Sequence, residues 1–167
     1  MRASILERWS TKVQRLRGRR FLDAAMAAAA LVSTADKDVR LSEQFALDRL
    51  IERMEQLRIF DPRAGIELHR RYVERIMAES GNGRRDAIDA VSSFQGDEER
   101  RLLILYVGVV VARADGDLPE PETRALADIS SALGLPVEES LGRIWGTDSA
   151  EPSGVLGGGL PVQSSDD

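Results

Sequence analysis

The sequence predicts an all-α protein, a compact bundle of about seven to eight helices with an internal pseudo-two-fold repeat. Two observations carry this. Apolar residues recur at helical spacing through most of the chain, with scarcely any strand alternation. The stretch from Val32 to Leu47 is also written again from Val111 to Leu126, at an offset of 79 residues with seven of sixteen positions identical. Two copies of one supersecondary unit generally pack against each other about a shared axis.

The elements follow in order. Residues 3–17 place Ile5, Leu6, Trp9, Val13 and Leu16 near one helical face among Arg2, Arg8, Lys12, Arg15 and Arg17, a basic amphipathic helix expected over 1–19. A long helix is expected near 20–35, and a second near 40–57 carrying Phe45, Leu47, Leu50, Ile51, Met54 and Leu57. Asp61-Pro62 combines a capping acid with proline at a first helical position and opens a helix to about Ala78. Gly81-Asn82-Gly83 breaks it, and a short helix runs to Phe94. Glu98 to Ala114 is the second long helix, with Leu102, Leu103, Leu105, Tyr106, Val109 and Val110 available for burial. The repeat and helical periodicity override the strand propensity of the β-branched run ending at Val111. Its partner spans about Leu118 to Leu133 and is closed by Gly134; Pro136 opens a last helix ending near Trp145. The helical domain thus covers 20–146, and the Gly/Ser-rich tail 147–167 is expected to be disordered.

Composition narrows the function. The chain has 167 residues, a one-domain length, and no cysteine, which excludes disulfides and thiolate chemistry. The net charge of −5 is uneven: residues 1–20 hold seven Lys/Arg against one Glu, the remainder 16 against 27 acids. An acidic body disfavours nucleic acid and favours cations or basic partners. The basic segment suits contact with an anionic membrane surface through residues 1–20, or docking on the acidic body. The run Phe21 to Val32 imitates a secretory signal, but Asp23 interrupts it and Ala24 to Ala35 aligns with Leu103 to Ala114 deep in the chain. It is read as a core helix and the chain as cytoplasmic.

Within the repeat, Asp36, Asp38 and Glu43 recur as Asp115, Asp117 and Glu122. The aspartates fall in a turn between helices and the glutamate in the opening turns of the second helix. Three carboxylates on one turn repel unless a cation or a nearby arginine offsets them. Oxygen-only ligands suit calcium or magnesium. The competing reading makes Asp38 and Asp117 helix N-caps, with Glu43 and Glu122 favoured by the helix dipole. Capping leaves Asp36 and Asp115 unexplained, because each puts a negative charge at a helix C-terminus. An EF-hand is excluded, since Arg40 and Leu47 stand where that loop needs oxygen ligands. His69, the only histidine, is read as a surface residue beside Glu67, Arg70 and Arg71, so a serine triad lacks support. A metal-dependent hydrolase is disfavoured because neither nucleophile nor histidine accompanies the acids.

Ala30 to Asp36 with Glu43, and Val110 to Asp117 with Glu122, resemble the paired Ala-Asp-Gly motifs of the TerB-like tellurite-resistance family. Phe60-Asp61-Pro62, Asp97 to Leu103 and Ser131 to Leu135 are similar to its middle and end, so the likeness covers about 20–146. The resemblance implies a symmetric all-α fold, an acidic site for divalent cations, association with membrane stress-response proteins, and no established catalysis. The expected function is a non-enzymatic stress adaptor at the inner membrane face, working through a protein partner. The alternative is a plain interaction module like the N-terminal domain of the co-chaperone DjlA, the acids being caps or partner contacts. No His-Pro-Asp tripeptide exists, so J-domain activity is excluded. Lys37 departs from the glycine of the family's first copy, and its bulk and charge count against a cation there.

Overall fold

The computed structural model describes the backbone of residues 5–146 except 56, 79 and 80, and side chains from 18 to 142 outside that gap. Seven helices and no strand occur among the described residues: α1 (Ile5–Ser33), α2 (Leu41–Arg53), α3 (Pro62–Met77), α4 (Asn82–Ser92), α5 (Glu98–Ala112), α6 (Glu120–Ala132) and α7 (Val137–Gly146). The expected tail over 147–167 lies outside the described residues, as do the side chains of the basic stretch up to Arg17.

The central element is α1, which packs against α3, α4, α5 and α6. Every residue from Ala24 to Val32 is buried, six of the nine being alanine, so neighbouring helices approach closely on all sides. The apolar run is therefore a core helix. The basic and apolar segments form one continuous helix rather than two. Gly18 lies within it, and its absent side chain admits Phe60, whose Cζ would lie 3.0 Å from a Cβ there. Asp23, which interrupts the apolar run, accepts a 3.0 Å hydrogen bond from the Tyr72 hydroxyl on α3.

α5 is the repeat mate of α1 and is similarly immersed, burying Leu103, Ile104, Leu105, Val107, Val109, Val111 and Ala112. Leu102, Tyr106 and Val110, expected in the core, are only half-buried, while Ile104 and Val107 go inside. At Gly108 the helix meets Leu126 of α6 and Val32 of α1; a Cβ there would sit 3.2 Å from Leu126 Cδ2. α2 packs on α5 and α6 on α1, so the second helix of each hairpin crosses to the first helix of the other. That reciprocity brings the two acidic turns to one end of the bundle.

Local signals set most boundaries. Asp61 Oδ1 accepts from the Arg63 N–H at 3.0 Å with Pro62 at the first helical position, and Asp97 Oδ1 accepts from the Arg100 N–H at 3.0 Å. α6 ends in a Schellman motif: Gly134 has φ +64°, its N–H reaches the Ser131 carbonyl at 3.0 Å, and the Leu135 N–H reaches Ser130 at 2.9 Å.

Candidate functional site

The two turns are built alike, bond for bond. After α1, the Thr34 N–H donates to Ala30, Ala35 to Val32 and Lys37 to Thr34; after α5, Arg113 donates to Val109, Ala114 to Val111 and Gly116 to Arg113. Lys37 and Gly116 occupy the same position, and both have positive φ, +66° and +87°. The left-handed conformation favours glycine, which the second copy carries, and leaves Lys37 strained in the first. Lys37→Gly should therefore raise stability by about 0.5–1 kcal/mol, whereas Gly116→Ala should lower it by about 1 kcal/mol, both read from urea unfolding.

Neither Asp38 nor Asp117 caps a helix. The N-cap positions are Arg40 and Pro119, neither with a side-chain cap bond, because both helices begin three residues beyond the aspartates. Asp38 and Asp117 are exposed. Asp36 instead closes its own turn: Oδ1 accepts from the Asp38 N–H at 2.9 Å, while Oδ2 accepts from Arg40 Nη2 at 2.9 Å.

Arg40 ties the copies together. Its Nη1 donates to Asp115 Oδ2 at 2.6 Å, its Nη2 to Asp36, and its Nε lies 3.7 Å from Asp38 Oδ2. Ser42 also donates to Asp115, and Ser42 and Arg40 together hold that carboxyl below the usual carboxylate range. The repeat mates of Arg40 and Ser42 are Pro119 and Pro121, which have no side-chain donor and no N–H. No reciprocal grip on Asp36 can form, so one guanidinium serves both turns.

Beneath the turns the glutamates are buried, Glu43 at 3% exposure and Glu122 at 2%. Each stands three positions into its helix, where a capping-box glutamate reaches back to the N-cap N–H. Glu43 does so, accepting from the Arg40 N–H and from the Ser33 hydroxyl; burial still pushes its carboxyl above the ordinary value. Glu122 has neither donor, because proline replaces Arg40 and Ala112 replaces Ser33. Burial, with Glu43 and Asp36 nearby, pushes it up to about 7 against the pull of Arg40. Both glutamates carry an Oε2 without a hydrogen-bond partner.

His69 is not a surface residue. It is 3% exposed on the inner face of α3, in line with Gly65 and Tyr72, and its Nε2 lies 3.3 Å from Ser33 Oγ. With the Ser33 proton given to Glu43, the Ser33 oxygen accepts from His69 Nε2–H, which fixes the tautomer. Burial lowers its pKa to about 4, so the ring is neutral. His69, Ser33 and Glu43 thus form a buried polar chain running from α3 to the acidic turns.

The donor chemistry favours a hard cation, and the partnerless Oε2 atoms are what a cation site leaves behind. The arrangement does not follow through. Arg40 already supplies the positive charge between Asp36 and Asp115, and among the described residues no three His, Cys, Asp or Glu side chains are grouped to hold a metal ion. As they stand, the side chains do not fit calcium or magnesium. The six acids were legible in the sequence, as was a nearby arginine as one way to offset them, but not that Arg40 is that arginine. The signal was its departure from the repeat, arginine in one copy and proline in the other.

Two helical hairpins of one sequence pattern, crossed so that their Ala-Asp-x-Asp turns meet above two buried glutamates, define a class of acidic, internally duplicated helical domains. The family model described as tellurite resistance protein TerB matches residues 22–142, and the chain belongs to that family. Neither the curated proteins nor the solved structures gave a match.

Proposed function

We propose that this chain is a non-enzymatic adaptor in a stress response, docking a basic segment of a membrane-associated protein at the face beside the acidic turns. The observation that carries the reading is an asymmetry on α2. Leu41 and Phe45, one turn apart, are 70% and 65% exposed. Their repeat mates on α6 are Glu120 and Arg124, which form an ion pair. The fold is therefore content with a solvated pair at these positions, and the first copy presents apolar surface there instead. Asp38 is exposed beside it, so the face joins an apolar anchor to negative charge, the complement of a basic amphipathic segment.

The interior supports a binding role over catalysis. Ser33 and His69 touch, but both are buried and the histidine is neutral, so neither is reachable by a substrate. Among the described residues no helix is long and apolar enough to cross a membrane. Membrane association in the cytoplasm would then run through the partner, with residues 1–20 as a second, electrostatic contact.

A photoreactive residue placed at 45 should cross-link in cells to a membrane-fraction protein, and the same residue at 124 should not. Asp38→Lys with Asp117→Lys should abolish the adduct. Equal cross-linking from both positions, or no membrane-fraction adduct, would sink the reading. Deleting residues 1–20 should separately weaken sedimentation with anionic vesicles; unchanged pelleting would remove the direct lipid contact.

A further inference from the structure

We infer that Arg40 is a built-in substitute for a divalent cation, and that the native chain takes up neither calcium nor magnesium at its paired turns. The guanidinium sits between one carboxylate of each repeat copy, at 2.6 Å from Asp115 and 2.9 Å from Asp36. It does there what an ion would do, holding two like charges together across the junction of the hairpins. It is also anchored: its own backbone N–H is bound by Glu43, and Ser42, two residues on, grips Asp115.

A guanidinium nonetheless differs from an ion in what it can gather. It is planar and directs its donors along fixed lines, whereas calcium collects about six to eight oxygens around a point. The difference is visible in the buried layer, where Glu43 and Glu122 each keep a partnerless Oε2. Arg40 is set among Asp36, Asp115, Glu43 and Glu122, the last two almost wholly buried. Take Arg40 away and the carboxylates lose the charge that offsets them; a proton on Glu122 or an added cation can replace it, and the two partnerless oxygens remain for the cation. The proline at the matching position of the second copy cannot stand in. The inference concerns the turns alone and holds whether or not the Leu41 and Phe45 face binds a partner.

Amide chemical shifts and calorimetry of the full chain, titrated with calcium and with magnesium, test it against Arg40→Gln. The native chain should show no saturable shift at residues 36–43 or 115–122. Arg40→Gln should bind calcium at least about tenfold more tightly than the native chain and gain several degrees of melting temperature from it, roughly as ligand linkage requires. Folding of Arg40→Gln only in the presence of calcium would support the inference too. Arg40→Lys is the second variant, since a single ammonium cannot bridge both carboxylates as a fork does; it should gain a smaller calcium response. Adding Asp115→Asn to Arg40→Gln should cancel the gain. Saturable binding by the native chain at these turns, or no gain of binding in either arginine variant, overturns the inference.

Discussion

Glu122→Gln is expected to tilt the pH profile of stability rather than shift it uniformly. The Glu122 proton is released near 4.5 in the unfolded chain and about 7 in the folded one, so between these values the folded state binds more protons and stability falls as pH rises. At about 1.4 kcal/mol per unit, and reduced by solvent screening at the turn, this costs about 2 kcal/mol above neutrality. Glu43 acts in the same direction. His69 acts in the opposite one. Burial takes it from 6.5 to about 4, so the unfolded chain binds more protons across that window and stability rises with pH, by about 3 kcal/mol. The two slopes nearly cancel in the native protein. Glutamine at 122 removes the falling one. The variant should gain about 2–3 kcal/mol between roughly pH 4.5 and 7, where the native chain stays nearly flat, and at about pH 8 exceed it by about 2 kcal/mol. Urea unfolding across that range checks the prediction; parallel profiles would mean that Glu122 is ionised throughout.

Gly83→Ala should be the most damaging conservative change on the α3 and α4 side. A Cβ at Gly83 would lie 2.1 Å from the Arg75 carbonyl oxygen and 2.5 Å from the Ile76 nitrogen. Both are backbone atoms of α3 and cannot turn aside, so α4 must move, and it carries Ala87 and Val91 in the core. The cost should be about 3 kcal/mol, or roughly 6–12 °C of melting temperature for a chain of this length. Gly81→Ala, two residues earlier, is the control. Gly81 has φ +70° with nothing near its Cβ position, so the change should cost only about 1 kcal/mol of backbone strain. A loss below about 1 kcal/mol at Gly83 would show that α4 is free to shift.

What the chain disclosed of itself depended on the range of the physics. Asp61-Pro62, Asp97 and Gly134 were readable because caps are settled within a few residues, and the helices start and stop there. The repeat was readable as well, though not that its two acidic turns meet through Arg40. Features fixed by distant packing were not. The basic and apolar segments looked like two helices meeting near residues 19 and 20, but one helix runs through both, with Phe60 packed at Gly18. His69 looked solvated because its sequence neighbours are charged, although its spacing from Gly65 and Tyr72 put it on the buried face. Asp38 and Asp117 looked like caps because the helix starts were placed too early. The burial of Glu43 and Glu122 depends on how the two hairpins cross, which no local pattern records.

The two turns form one asymmetric carboxyl cluster, with Arg40 as its cation and Glu122 deprived of the donors Glu43 retains. Carbon-13 shifts of the Glu43 and Glu122 carboxyls, followed through pH, address it most directly. The Glu122 midpoint should lie near 7 in the native chain and move higher in Arg40→Gln as the positive charge is withdrawn. A Glu122 midpoint near the ordinary 4.5, indifferent to Arg40, would contradict it.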